Sequence, residues 1–258
     1  MSQTAVRRPK LTSTGYNLNV FHLRNPYVIA WWSLAFPGFG HIALGSIIKG
    51  VFLFIAEIAI NQKAHINMAI IYSFVGDFEL AKQVLDTQWL LLYTGALFYG
   101  IWDCYRLTLE YNKMSVLGDR ENADLVPIVL GAVSINGLEK RTPWVSFAWS
   151  IITPGLGQLY NADFIKAIFL VLIGAGIICF SHSLQAIHYS FLGDFAQAKA
   201  VLDWQLALNI PSFYGFAIFE AYVKTVEFNK LFDQAQAQYF RNNFQNPNFD
   251  WAALNRRA

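Results

Sequence analysis

Apolar residues fall along this chain in long runs rather than narrow stripes, and the runs occur in two matching sets. In the first set, Ile47 to Ile60 with its flanks and Gln88 to Leu109 each approach the about 20 residues a helix needs to cross hydrocarbon. In the second, Phe164 to Ile177, extended to Phe180, and Gln205 to Val226 stand in the same places. The pattern predicts two spanning helices per set. Ahead of each pair lies a shorter apolar run, Pro26 to Phe36 in the first set, whose about 11 residues would reach only roughly 16 Å as a helix. It meets Pro37-Gly38-Phe39-Gly40, and its twin meets Pro154-Gly155-Leu156-Gly157. Glycine supplies unusual dihedrals and proline removes a donor, so the expected element is a half-helix that enters the membrane or lies on it and reverses at the turn. Irregular backbone at that depth must be covered by protein or line a water-filled cavity.

The two sets are copies. Residues 26–113 align without a gap on residues 143–230 at a constant offset of 117, with about 34 identities. Tyr72-Ser73-Phe74-Val75-Gly76-Asp77-Phe78 becomes Tyr189-Ser190-Phe191-Leu192-Gly193-Asp194-Phe195, and Glu110-Tyr111-Asn112-Lys113 becomes Glu227-Phe228-Asn229-Lys230. Positions both copies keep need a physical reason, and positions that differ are candidates for asymmetric function. The chain therefore divides into an N-terminal segment (1–25), repeat 1 (26–113), a linker (114–142), repeat 2 (143–230) and a tail (231–258).

Composition turns this pattern into an expectation about the solvent. Hydrophobic residues make up 55% and charged residues 14%, where a soluble domain carries about a quarter charged. The expected fold class is an all-α, polytopic membrane bundle built from two tandem repeats. Each repeat holds a re-entrant half-helix, a spanning helix, an amphipathic helical hairpin and a second spanning helix. The first 25 residues are polar and basic, so no cleaved leader is expected. Arg7, Arg8, Lys10 and Arg24 precede repeat 1. Arg106, Lys113, Arg120, Lys140 and Arg141 lie between the copies, and Lys224, Lys230, Arg241, Arg256 and Arg257 follow. The positive-inside rule places all three clusters in the cytoplasm, so each copy crosses an even number of times and the repeats run parallel. Three crossings per copy would instead invert the repeats and put the linker outside. Cys104 and Cys179 occupy non-equivalent positions and suggest packing rather than a disulfide or metal site. A net charge of +2 points to no nucleic-acid partner.

Pro37-Gly38-Phe39-Gly40-His41 with Gly45 and Lys49-Gly50, and Pro154-Gly155-Leu156-Gly157-Gln158-Leu159-Tyr160-Asn161 with Lys166, resemble the bacterial TM-two domain family. The likeness covers roughly residues 26–60 and 143–177, and the Arg-Phe-Tyr that follows the histidine in the best-known form is lacking. It implies a membrane hairpin of helix, glycine turn and helix, and a cell-membrane location. In the insert, Ala69, Tyr72, Gly76, Asp77, Phe78, Ala81 and Leu85, and Ala186, Tyr189, Gly193, Asp194, Phe195, Ala198 and Leu202, are spaced like one tetratricopeptide repeat, with His65 and His182 where that family often has tryptophan. The resemblance implies a two-helix unit. Gly ends the first helix, Asp caps the second and the alanines allow close approach.

Lys49 and Asp103, and Lys166 and Glu220, should sit near the cytoplasmic ends of neighbouring antiparallel helices. Ionisable groups in membranes pair, so two structural salt bridges are expected. Glu57 faces Gly174 and Asn61 faces Ile178 in the alignment, so any ion function would belong to copy one. His41 becomes Gln158, both able to plug a turn carbonyl. No paired carboxylates, metal-ligand cluster, nucleophile with base or phosphate loop is found, which predicts no enzyme, no cofactor and no metal. The expected function is a multi-pass scaffold or regulatory subunit for a membrane or envelope protein partner, with homo-oligomerisation possible. It would engage through the hairpins, the linker or the tail. The linker includes the apolar run Leu125 to Ile135, suited to a strand or surface segment. The tail, Gln234 to Ala258, carries Tyr239, Phe240, Phe244, Phe249 and Trp251 for docking or interfacial anchoring. The alternative is a small-solute or ion transporter component, because interrupted hydrophobic segments at matching repeat positions can form a midplane site.

Overall fold

The computed structural model describes residues 10–13, 18–121, 128–130 and 135–244. Repeat 1 opens with an antiparallel hairpin of β1 (Leu11–Ser13) and β2 (Leu18–Val20), with Leu11 opposite Val20. Then come α1 (Pro26–Ala35), α2 (Phe39–Ala43), α3 (Ile47–Ala64), α4 (Ile66–Val75), α5 (Phe78–Val84) and the long α6 (Thr87–Glu121). Repeat 2 follows the same order: β3 (Ile128–Leu130) and β4 (Ile135–Gly137), α7 (Pro143–Ile152), α8 (Leu156–Tyr160), α9 (Phe164–Phe180), α10 (Ser183–Phe191) and α11 (Phe195–Val201). It ends in α12 (Trp204–Ala207) and α13 (Ile210–Asn243). Apart from two small hairpins the described residues are all-α.

The hairpins widen the duplicated unit. β1 and β2 map onto β3 and β4 at the same offset of 117 that relates the helices, so the structural likeness of the copies extends ahead of Pro26 and Pro143 to include Leu11 and Ile128. Part of the linker's apolar run is thus a strand. Its remaining residues 125–127 and 131–134 lie outside the described residues, as do Arg7, Arg8 and the tail beyond Phe244 with Phe249, Trp251, Arg256 and Arg257.

Local chemistry explains the boundaries. Pro26 and Pro143 stand at the first turns of α1 and α7, where a missing N–H costs nothing. Asp77 and Asp194 accept from Leu80 N and Gln197 N at 3.0 and 2.9 Å, capping α5 and α11. His65 and His182, kept in both copies, take left-handed backbone (φ 54° and 55°) at the junctions α3–α4 and α9–α10. Histidine is among the few non-glycine residues enriched there. Where α6 runs unbroken, repeat 2 breaks into α12 and α13, because Pro211 replaces Thr94 and cannot donate back into the preceding turn.

The half-helix geometry is built by close approach. α1 packs along α6 and ends at Pro37, and Gly38 (φ 103°) then lies so near α3 that an added Cβ would sit 2.3 Å from Gly50 O. Gly155 repeats this against Ala167 O at 2.7 Å. At the other end of α1 a side-chain amide imitates a strand. Asn112 Oδ1 accepts from Arg24 N at 2.9 Å while its Nδ2 donates to Arg24 O at 2.7 Å, and Asn229 does the same for Arg141 at 2.8 and 2.6 Å. The Arg24 and Arg141 guanidinium groups lie over Tyr111 and Phe228, 5.9 and 5.7 Å from the ring centroids. This clamp is why both copies keep the aromatic-Asn pair, Tyr111-Asn112 and Phe228-Asn229.

The copies join through an aromatic seam. Phe39 stacks on Phe216 at 4.3 Å, Phe36 on Phe54 at 4.6 Å, and Trp32 meets Phe216 edge-on at 5.6 Å. Like ends touch like ends: the α3–α4 junction of repeat 1 bonds α12 of repeat 2, and the Asn19–Arg24 arm faces Lys166 and Lys224. The copies therefore run parallel.

Among the described residues Trp204–Asn243 is the one stretch that is long and apolar enough to cross a membrane by length and composition, with a second if Phe164–Phe180 and Ser183–Phe191, bent by 59°, form one span. The four spans expected from sequence exceed this. α3 carries Lys49, Glu57 and Lys63, and the first half of α6 is diluted by Tyr, Trp and Gly. The hairpins also differ in detail from an amphipathic pair, since α4 is apolar on nearly every side while α5 carries Glu79, Lys82 and Gln83.

Gly38→Ala and Gly155→Ala should each abolish stable folding or cost more than about 3 kcal/mol, because backbone must move. Gly76→Ala, in open space at φ 89°, should cost only about 1 to 2 kcal/mol. Thermal unfolding of the purified variants in detergent, followed by tryptophan fluorescence, measures the contrast.

Candidate functional site

The polar chemistry of the chain is gathered inside the bundle. In copy one Asp103, 1% exposed on α6, is held by three cationic or donor groups. His41 Nε2 from α2 lies 2.9 Å from Oδ2, Lys49 from α3 bonds the same oxygen, and Arg106 Nη2 reaches Oδ1 at 2.9 Å. Arg106 also pairs with Glu110 at 2.8 Å, and Lys49 lies over the Tyr99 ring. In copy two Glu220, also 1% exposed, accepts from Lys166 at 2.6 Å and from Gln158 Nε2 at 3.3 Å. Gln158 donates to Ala217 O as well, at 2.8 Å. The structure thus brings together Lys49 with Asp103 and Lys166 with Glu220.

Three members of these centres do not follow from the sequence pattern. His41 bonds the carboxylate rather than a turn carbonyl. In copy two a second pair, Asp163 with Lys224, is added, and Asp163 also lies 3.3 Å from Lys166. The equivalents of Asp163 and Lys224 are Ser46 and Leu107. An opposite-sign couple gained by one copy alone was the available signal.

At the other end a network of side-chain amides crosses from one copy to the other. Asn61 Nδ2 donates to Glu57 Oε1 at 2.9 Å and to Asn67 Oδ1 at 3.1 Å, and Asn67 Nδ2 reaches Gln205 O at 2.8 Å and Asn209 Oδ1 at 3.0 Å. Gln205 Nε2 returns two bonds of 2.8 Å to Asn61. Gln88, the twin of Gln205, is exposed, so the network is built once and not twice. Glu57, singled out for its lack of a twin, is 4% exposed, and its Oε2 has no partner.

The turn residues Pro37, Gly38, Gly40, Pro154, Gly155 and Gly157 hold α2 and α8 against α6 and α13, which places His41 and Gln158 at the acids. The hairpin residues stand apart. Tyr72, Gly76, Asp77, Phe78 and Tyr189, Gly193, Asp194, Phe195 surround tips whose apolar side chains point outward, Phe74 being 82% and Phe191 87% exposed. Among the described residues no group of three or more His, Cys, Asp or Glu is placed to hold a metal ion. Comparison with protein-family profiles, with curated proteins and with solved structures gives no match.

Breaking one buried pair leaves an uncompensated charge, whereas removing both partners does not. Glu220→Gln should lower stability by about 3 kcal/mol, and Lys166→Met added to it should recover most of the loss. Recovery is checked by comparing unfolding midpoints of wild type, single and double variants. A double variant no more stable than the single would mean that Lys166 and Glu220 are not coupled.

Proposed function

We propose that this chain is a multi-pass membrane scaffold or regulatory subunit, non-enzymatic, crossing the bilayer twice per repeat with its basic end in the cytoplasm. The observation that carries the membrane part is an inverted distribution of polarity. Ile48, Phe52, Phe98, Trp102 and Leu172 stand outward at 59 to 89% exposure while Asp103, Glu220, Lys166 and Lys224 lie inside. Soluble proteins rarely expose so much contiguous apolar surface, and a bilayer covers it. Short spans and polar helix positions are accommodated because Asp103 meets Lys49, Glu220 meets Lys166 and Asp163 meets Lys224 within the bundle.

The scaffold part is favoured over transport by the fate of the acids. A transport path needs ionisable groups facing common water. Here Asp103, Glu220 and Glu57 are neutralised or bonded separately, by Lys49 with His41 and Arg106, by Lys166, and by Asn61. What the molecule offers outward is instead two matching apolar tips, at Phe74-Val75 and Phe191-Leu192, framed by capped turns. An envelope or membrane protein that takes up two aromatic knobs, or a second copy of this chain, is the partner such tips suit.

Single cysteines on a Cys104→Ser, Cys179→Ser background test the arrangement. Ser73→Cys and Ser190→Cys should be labelled by an impermeant maleimide from outside intact cells, and Lys113→Cys only after lysis. Labelling of Lys113→Cys from outside would reverse the topology and move the transport reading to first place. Photo-crosslinkers at Phe74 and Phe191 should give one discrete adduct, shared by both sites.

A further inference from the structure

Where the copies meet at the basic end there is a cavity of about 240 Å³, whose wall includes His22, Arg24, Ala43, Lys166, Lys224 and the carboxylate of Glu227. Comparing it with the same place in copy two shows what it lacks. In copy two Arg141, twin of Arg24, is satisfied within the chain: Nε lies 3.2 Å from Glu139 Oε1 and Nη1 donates to Tyr160 O at 2.8 Å, with the Tyr160 ring beneath the guanidinium. In copy one Glu139 is replaced by His22 and Tyr160 by Ala43. The carboxylate is gone and the ring's volume is open.

The consequence is an unbalanced positive charge. Lys166 and Lys224 are offset by Glu220 and Asp163, and Glu227 is held by Lys230 at 2.6 Å. Arg24 has no carboxylate partner among the described residues, and its Nε is buried without a hydrogen bond. His22, only 8% exposed, likewise has an unpartnered Nε2. Burial first, then the Arg24, Lys166 and Lys230 charges, push this imidazole down to about 3, so it is neutral at pH 7 and leaves the charge of Arg24 standing.

We propose that this cavity binds a phosphate group, taking the place that the Glu139 carboxylate fills in copy two, with Arg24 as its fork-shaped donor and the unbalanced charge, and Lys166 and Lys224 in the facing wall. A guanidinium matches tetrahedral phosphate oxygens with two parallel donors, and the volume accommodates such a group. Two sources share this chemistry: the headgroup of an anionic lipid in the cytoplasmic leaflet, for which basic pockets between membrane helices are suited, and free inorganic phosphate.

The test titrates the full-length chain, delipidated in detergent, with inorganic phosphate and separately with short-chain phosphatidylglycerol, by calorimetry. Wild type should bind at least one of them saturably. Arg24→Gln should weaken binding about tenfold or more, as expected for losing a charge-assisted pair. His22→Glu is the decisive variant, because it rebuilds the Glu139 arrangement of copy two. It should fold as well as wild type, shown by its unfolding midpoint, yet lose binding to the same extent. Lys113→Gln, an exposed cation outside the cavity, should bind normally. Binding of both probes assigns a phosphate-ion site, and binding of the lipid alone a headgroup site. No binding by wild type, unchanged binding by His22→Glu, or equal loss in Lys113→Gln overturns the proposal. The phosphate arm is independent of whether the chain spans a membrane or meets a protein partner.

Discussion

A carboxylate placed midway along a buried helix face cannot be left alone in a low-dielectric interior, where an unpaired ion costs several kcal/mol even after relaxation. Asp103 and Glu220 impose that condition on α6 and α13, and much of the architecture follows from meeting it. Lys49 must lie beside Asp103, which sets the register of α3 against α6. His41 must reach the same oxygen, which draws α2 back after the Pro37 turn and makes α1 a half-helix. Copy two meets the condition with different groups, a glutamate with a longer side chain, a glutamine in place of the histidine and an added Asp163 and Lys224 pair, while the order of elements around the acid stays the same. Charge neutrality rather than residue identity is what the duplication has kept.

Two steric devices make that placement reachable. Glycine at positions 38 and 155 lets the turn press against α3 and α9, at distances a Cβ would forbid. The Asn112 and Asn229 amides then tie the arms carrying Arg24 and Arg141 to the sides of α6 and α13, completing hydrogen bonds that an extended arm beside a helix would otherwise leave unmade. Each copy is thus held at both ends of its half-helix.

Divergence between the copies is concentrated where they touch. Phe36, Phe39 and Phe54 of repeat 1 and Phe213 and Phe216 of repeat 2 form the seam, and their twins are Thr153, Leu156, Val171, Ala96 and Tyr99. Aromatic packing of this kind contributes roughly 0.5 to 1.5 kcal/mol per pair beyond burial. It is used on one side of each copy only, so the pair closes on itself with one aromatic interface. The same asymmetry places the Asn61 and Gln205 network once, and opens the Arg24 cavity in copy one alone.

The sequence by itself determined what depends on local pattern and on comparing the copies. The duplication, the helical class, the half-helix before Pro37 and Pro154, the capped hairpins and the partnering of Lys49 with Asp103 and Lys166 with Glu220 all follow from period, caps and charge sign. These are short-range or symmetry-related signals, present in the residues themselves. The tertiary structure decided what depends on juxtaposition across the chain. Leu11 to Val20 and Ile128 to Gly137 share little sequence, so only their common fold reveals the wider repeat. His41 against Asp103, Asn67 against Gln205, and the exchange of Glu139 and Tyr160 for His22 and Ala43 become meaningful only once distant segments are placed together. Hydrogen bonds and cavity walls between residues so far apart along the chain leave no periodicity to read.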